Sequence, residues 1–311
     1  MAEIVLVHGI GQEQETADKL EAAWLPALAG GVRMAGFPQV ADRIWRVRGP
    51  GSIEARMAYY GALFLSPNQQ GGDPGDFTAE ESAFAERLAV EWLQHAAERA
   101  SRKTAMRTGQ RELAYVSGQM GVEQGAGSAV RSAIAGLAKI AWFAPLGMGF
   151  AERFVNRALA QVTRYFTDEV VRSSALDAVS KLIGPETKAV IGHSLGSVVA
   201  YEAVQRLRQP LPLPLLITLG SPLGLQTLVY QRLRPQPPGF PPTVSRWVNV
   251  ADRDDFIAAE PNLNPLFGTG MPANAVFESG YTVDNGAQPH KADFYLGKSQ
   301  LGQPIGELYS R

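Results

Sequence analysis

The stretch that most constrains this chain is a pentapeptide, Gly192-His193-Ser194-Leu195-Gly196, set between two apolar segments of different character. Before it, Ala189-Val190-Ile191 has the apolar, β-branched composition of a strand buried on both faces. After it, Ser197-Val198-Val199-Ala200-Tyr201-Glu202-Ala203 opens an apolar helix. A chain that passes from strand to helix in so few residues must turn sharply, and a glycine on each side of the serine relieves crowding there. That setting makes Ser194 a candidate nucleophile. The alternative is a structural turn in which Ser194 only caps the helix.

The same alternation of strand and helix runs through both ends of the chain. Residues 3–7 form a short apolar run that closes on His8-Gly9-Ile10-Gly11, and residues 16–28 follow with helical spacing toward an expected stop at Gly30-Gly31. Residues 44–47 and 57–65 read as two further strands separated by the Gly49-Pro50-Gly51 turn signal. From residue 187 onward come strands at 189–191, 215–219 and 247–250, with a helix over 197–207. This rhythm predicts an α/β fold built on a mostly parallel, doubly wound sheet. Between the two ends, residues 66–184 turn helical, with amphipathic patterns over 79–102 and 150–183. The organisation expected is one domain over 1–311 with a large helical insertion at 66–184.

Composition narrows the classes of function. The chain carries 29 basic and 30 acidic residues in 311, so no global field attracts nucleic acid, and a nucleic-acid partner is not expected. With no cysteine there is no disulfide, no zinc–thiolate site and no thiol nucleophile, and a reducing compartment suits the chain. The start, Met1-Ala2-Glu3 followed directly by Ile4-Val5-Leu6-Val7, lacks the pattern of a secretory signal, which makes the cytoplasm the expected location. No transmembrane segment is expected either, because the most apolar stretch, 133–151, is interrupted by Lys139 and Pro145.

A serine hydroxyl needs a base within hydrogen-bond reach and a third group to orient that base. On a strand-to-helix turn of this kind the chain order is serine, acid, histidine. The chain has four histidines, His8, His95, His193 and His290, and only His290 lies beyond Ser194. His95 sits in a charged helical segment. His8 and His193 adjoin the turns and are read as residues that shape them. The acid should follow the strand ending at Val250, where Asp252, Asp254 and Asp255 stand together. Asp255 is preferred because Phe256-Ile257 would bury that end of the loop, and Asp252 is the alternative. A tetrahedral oxyanion needs two backbone donors; the N–H of Leu195 is one candidate and the N–H of Ile10, between Gly9 and Gly11, is the other.

Together His8-Gly9-Ile10-Gly11, Gly192-His193-Ser194-Leu195-Gly196, Thr218-Leu219-Gly220-Ser221-Pro222 and the late aspartate and histidine resemble the lipase/esterase branch of the α/β-hydrolase superfamily over residues 3–65 and 185–296. The resemblance implies that fold, a triad of Ser194, His290 and an aspartate (Asp255, or Asp252 as the alternative), a site-shaping place for Ser221, and a small-molecule ester or lipid substrate with neither metal nor organic cofactor. Peptidase or thioesterase chemistry uses the same residues, and a non-catalytic binding module on the same fold is a reading of another class. Two departures stand out. The strands that usually precede the first oxyanion strand are missing, which implies an N-terminally reduced member, and the block after Pro222 lacks a polar residue that many lipases carry. Residues 66–184 occupy the place of a cap or lid. Within them, glycine-rich 118–150 (Trp142, Phe143, Leu146, Met148 and Phe150 around Pro145) reads either as a lid making transient membrane contact or as small residues that let helices pack closely.

Overall fold

The structure, a computed structural model, describes residues 1–65, 78–99, 103–120, 132, 135–137, 139, 148–207, 211–258 and 260–310. The chain divides into two compact units, Met1–Tyr60 with Ser173–Arg311, and Gly61–Arg172.

The first unit is built on a six-stranded, all-parallel sheet: β1 (Ile4–Val7), β2 (Ala55–Ala58), β3 (Ala189–His193), β4 (Leu213–Leu219), β5 (Val244–Asp252) and β6 (Val276–Val283), in the order β2-β1-β3-β4-β5-β6. This is an α/β fold. From β1 the chain first winds outward to β2, then returns to β3 on the other side of β1 and continues outward from there. The two directions of winding part between β1 and β3, whose carboxyl ends lead into His8-Gly9 and Ser194. In open parallel sheets such a switch point leaves a crevice at the strand ends, because the connections leave on opposite faces.

Period-two alternation sends Ile4 and Leu6, Ala189 and Ile191, Leu215 and Ile217, and Val248 and Val250 to one face. There they meet α1 (Ala17–Met34), α2 (Pro38–Trp45) and a carboxyl-terminal helix, Ser299–Tyr309. Leu20, Trp24, Leu28 and Val32 form the buried stripe of α1, each worth roughly 2 kcal/mol of apolar burial. Helix Leu195–Gln205 packs on the opposite face, where its Tyr201 ring lies 5.5 Å from Trp247.

Several expectations for residues outside 66–184 are corrected by the structure. Residues 44–47 are not a strand: Ile44-Trp45 end α2, started by Pro38 at its first turn, and the helix buries Val40, Ala41 and Ile44 against the core. Of residues 57–65, only Met57-Ala58 are in a strand, and Gly61–Phe64 form a 3-10 turn. The helix stop expected at Gly30-Gly31 is also absent. Helix α1 runs on to Met34 and ends at Gly36, φ +92°, with Gly36 N–H bonded to Arg33 O and Phe37 N–H to Val32 O. Gly31 serves another purpose, since any Cβ there would run into the carbonyls of Leu296 and Lys298. Strand β6 and the helices beyond it follow the last strand predicted, and they carry the core out to Tyr309.

The second unit contains α3 (Ala79–Arg99), α4 (Lys103–Met120) and α5 (Met148–Thr167). Thr78 and Glu81 form a reciprocal cap on α3, Glu81 N–H donating to Thr78 Oγ1 at 3.2 Å and Thr78 N–H to Glu81 Oε2 at 2.8 Å. Phe84, Leu88, Trp92 and Leu93 make the buried stripe of α3, and Gly109 lets α4 approach the backbone at Ala97. The amphipathic pattern over 150–183 is two helices, because Asp168 caps a new start at α6 (Glu169–Ser180) through its carboxylate and the N–H of Val170 at 2.8 Å. Of 118–150, Leu137 is buried, Gly136 lies against Glu112, and Lys139 Nζ meets the buried Glu112 carboxylate at 2.9 Å. These residues are packed into the helical unit. Trp142, Phe143, Pro145 and Leu146 lie outside the described residues, as do the side chains of Met148 and Phe150. No helix among the described residues is long and apolar enough to cross a membrane.

Candidate functional site

Ser194 sits between β3 and α7 (Leu195–Gln205) with φ 55° and ψ −130°, the one non-glycine residue with positive φ among the described residues. Such a backbone costs on the order of 1–3 kcal/mol and persists only where its surroundings over-determine it. Here they do. Ser194 N–H donates to Leu219 O at 2.9 Å, and the Ser197 hydroxyl donates to Ser194 O at 2.6 Å while lying 2.6 Å from the Ser221 hydroxyl. Ser221 thus braces the turn from β4 and also accepts the N–H of Leu223.

Three glycines make this turn sterically possible. A Cβ on Gly192 would come 2.5 Å from Gly196 O, and one on Gly196 would overlap the carbonyls of Val7 and His8. A Cβ on Gly9 would lie 2.6 Å from Ser194 Cβ. The loop leaving β1 therefore passes directly against the serine, and Ile10 follows on that loop. Leu195 is the first residue of α7, so its N–H has no acceptor within the helix.

His290 approaches from the carboxyl-terminal part of the chain. Its Nε2 lies 2.9 Å from Ser194 Oγ, and its Nδ1 lies 2.9 and 2.8 Å from the two oxygens of Asp255. A carboxylate only accepts, so Nδ1 carries a proton, and in the neutral ring Nε2 is the nitrogen left with a lone pair facing the serine hydroxyl. Of the two candidate acids, Asp255 is the one that meets His290. Its carboxylate also accepts Ile257 N–H at 3.1 Å and the Tyr295 hydroxyl at 2.8 Å, and Phe256 and Ile257 are buried beside it. Gly220, φ +52°, closes the pair from below, since a Cβ there would stand 2.7 Å from Asp255 Oδ2 and 3.2 Å from His290 Nδ1.

Asp252 has different partners. Its buried carboxylate accepts the backbone N–H of Asn285, and that of Asp254 at 2.8 Å. Burial, with the charges of Asp255 and Asp254 adding to it, raises its carboxyl to about 6. Asp254 is the third aspartate of the group and contributes its N–H.

The remaining histidines divide as follows. His193 Nε2 donates to the carbonyl of His290 at 2.7 Å, its ring 4.7 Å from that of His290, and burial followed by the His290 charge holds it well below the ordinary imidazole range. His8 accepts Tyr60 N–H at Nε2, 3.1 Å, donates from Nδ1 to Gly9 O at 2.8 Å and stacks on Tyr60; burial lowers it to about 4. Both rings are thus neutral at physiological pH and hold backbone. His95 belongs to α3 in the second unit. Gly11 carries φ +75° within the loop between β1 and α1.

Three participants are not foreseen from the sequence. Gly220 stands in the conspicuous Thr218–Pro222 block, where a glycine ahead of a serine and a proline is the signal for a positive φ. Asn285 and Tyr295 have no local signal, because their importance lies in contacts with residues 33 and 40 positions away. Among the described residues no group of three or more His, Asp or Glu side chains is gathered as metal ligands would be. A groove of about 350 Å³ lies at the amino-terminal ends of β4 and β5, lined by Pro212, Pro242, Val244 and Pro272, and shares no residue with the Ser194 cluster. Compared with family models, with curated proteins and with solved structures, the chain matches none.

Proposed function

We propose that this protein is a serine hydrolase of the α/β-hydrolase type, lipase- or esterase-like, which cleaves carboxylic esters through an acyl-enzyme on Ser194. The observation that carries the reading is the continuous line of contacts from Ser194 Oγ through His290 to Asp255, with the serine on a strained turn at the switch point of the sheet. A structural cap would bond its own helix; the Ser194 side chain makes no capping bond and faces a histidine 96 residues away.

In this reading His290 Nε2 takes the hydroxyl proton as Ser194 Oγ bonds to the ester carbonyl carbon. The carbonyl electron pair moves to oxygen, where the N–H of Leu195, at the positive end of α7, and the N–H of Ile10 receive it. Asp255 stabilises the imidazolium and keeps Nδ1 protonated. The imidazolium then returns its proton to the departing alkoxide as the tetrahedral centre collapses to the acyl-enzyme. Water repeats the sequence and frees Ser194. The helical unit Gly61–Arg172 is assigned the role of a cap insertion.

A fluorophosphonate probe tests the nucleophile directly, with labelling of the wild type and none of Ser194→Ala as the expected result. Absence of label on correctly folded wild type would overturn the hydrolase reading. A panel of p-nitrophenyl esters of increasing chain length, run beside an anilide, a thioester and a phospholipid, tests the leaving group. Faster turnover of anilide or thioester than of every ester would replace ester hydrolysis by one of those activities.

A further inference from the structure

The His290 loop leaves β6 but is not anchored there. Its first buried residue, Asn285, gives its backbone N–H to the carboxylate of Asp252 at the end of β5, and its side-chain amide closes the loop by donating to Pro289 O at 3.0 Å. Three residues beyond Asp252 the same segment presents Asp255 to His290. The Asp252 N–H also donates to the Tyr295 hydroxyl at 2.9 Å, and that hydroxyl donates to Asp255. At Asn285 the loop that carries the base is therefore tied to the same strand end as the carboxylate that orients it, beside the hold of His193 on His290 O.

We propose that Asp252 is a positioning residue for His290, fixing the Asn285–His290 loop on the strand end that carries Asp255. The inference rests on the hydrolase reading. A buried carboxylate that draws its hydrogen bonds from backbone N–H groups carries a desolvation cost. What the carboxylate adds is a charge-assisted bond to a loop that makes a positive-φ turn at Gly286. Around Asp252 stand Asp254 and Asp255 on its own segment and Tyr295 from the helix after His290, and of these the two aspartates oppose its ionisation. With its carboxyl raised to about 6, the anchor is fully charged only above that pH and weakens as pH falls through it.

The test compares wild type, Asp252→Asn and Asn285→Ala for hydrolysis of p-nitrophenyl butyrate and for the rate of fluorophosphonate labelling, across pH 5–8. Asp252→Asn is expected to lose roughly 10–100-fold in kcat and in labelling rate with KM changed less than about threefold, since a misplaced base slows chemistry more than binding. It should also lose one ionisation from the acid limb, so that activity falls less steeply below pH 6. Asn285→Ala, which loosens the loop without touching Asp252, should lose about 3–10-fold and keep the wild-type steepness. A role confined to stability would move melting temperature and leave the limb as it is. Labelled wild type with an Asp252→Asn variant of equal rate and equal limb overturns the positioning role alone. A folded wild type that takes no label overturns it together with the hydrolase reading.

Discussion

The two sides of the Ser194 cluster lean on different interactions: close packing dominates at the serine and a spread of hydrogen bonds at the histidine. On the serine side, Gly9, Gly192 and Gly196 stand where any side chain would overlap backbone or Ser194 itself, so the turn depends on close packing that leaves no room for one, with a few hydrogen bonds beside it. On the histidine side, Asp252, Asp255, Asn285, Tyr295 and His193 hold the imidazole through hydrogen bonds spread over about a hundred residues of chain. Steric exclusion rises steeply as atoms approach and fails all at once. Hydrogen bonds in a network are lost one at a time, each worth about 1 kcal/mol, or more where a charge takes part.

The largest test of this contrast is made at the junction of the two sides. His290→Ala should lower ester hydrolysis by roughly 10⁴-fold or more, with Asp255→Asn close behind at about 10⁴-fold, because the three groups act as a unit. Steady-state kinetics at pH 7.5 measure both. A His290→Ala variant that keeps a tenth of the wild-type rate would remove the histidine side from the chemistry.

Next in size is a methyl group on the serine side. Gly196→Ala should destabilise the sheet unit by about 3 kcal/mol or more, because the carbonyls it meets belong to β1 and its loop and have no room to yield. Thermal unfolding reads the loss. A melting temperature within 2 °C of wild type would mean that the turn tolerates movement and that steric enforcement is not its basis.

The smallest expected effect is a pH dependence on the histidine side. Asp252 is raised to about 6 in the folded chain against about 3.9 when unfolded, so the folded state holds its proton more tightly. The resulting stability is present in full below about pH 4 and is lost as pH rises through 6. Wild type should therefore lose roughly 2–3 kcal/mol relative to Asp252→Asn between those limits. Denaturant unfolding of both proteins at pH 4, 5, 6 and 7 gives the difference, and parallel curves would show that burial does not raise the Asp252 carboxyl.

The serine side is legible in the sequence because its information is local. A strand, five residues and a helix specify the Ser194 turn, and the glycines that permit it are its neighbours along the chain. His290 follows from chain order, and the adjacent Phe256-Ile257 gives Asp255 its preference over Asp252. Secondary structure is legible where the pattern is strong, as in the apolar run of β1 and the helical spacing of α1 and α3. Periodicity misleads at 44–47, where an apolar, β-prone run is claimed by a helix that buries Ile44 in the core.

What the sequence determined by itself is the alternation of strands and helices and the identity of the serine and histidine, since both are encoded by residues close together or by simple order. What only the tertiary structure decided is how the imidazole is held. Asp252 and Asp255 are chemically the same residue three positions apart, and the turn between them sends one carboxylate to a loop N–H and the other to His290. Tyr295 and Gly220 join the site only because the sheet brings the end of β4, the end of β5 and the segment after His290 to one place. Hydrogen bonds and close approaches between distant segments leave no periodicity in the chain, so they exist as information only once the sheet has formed.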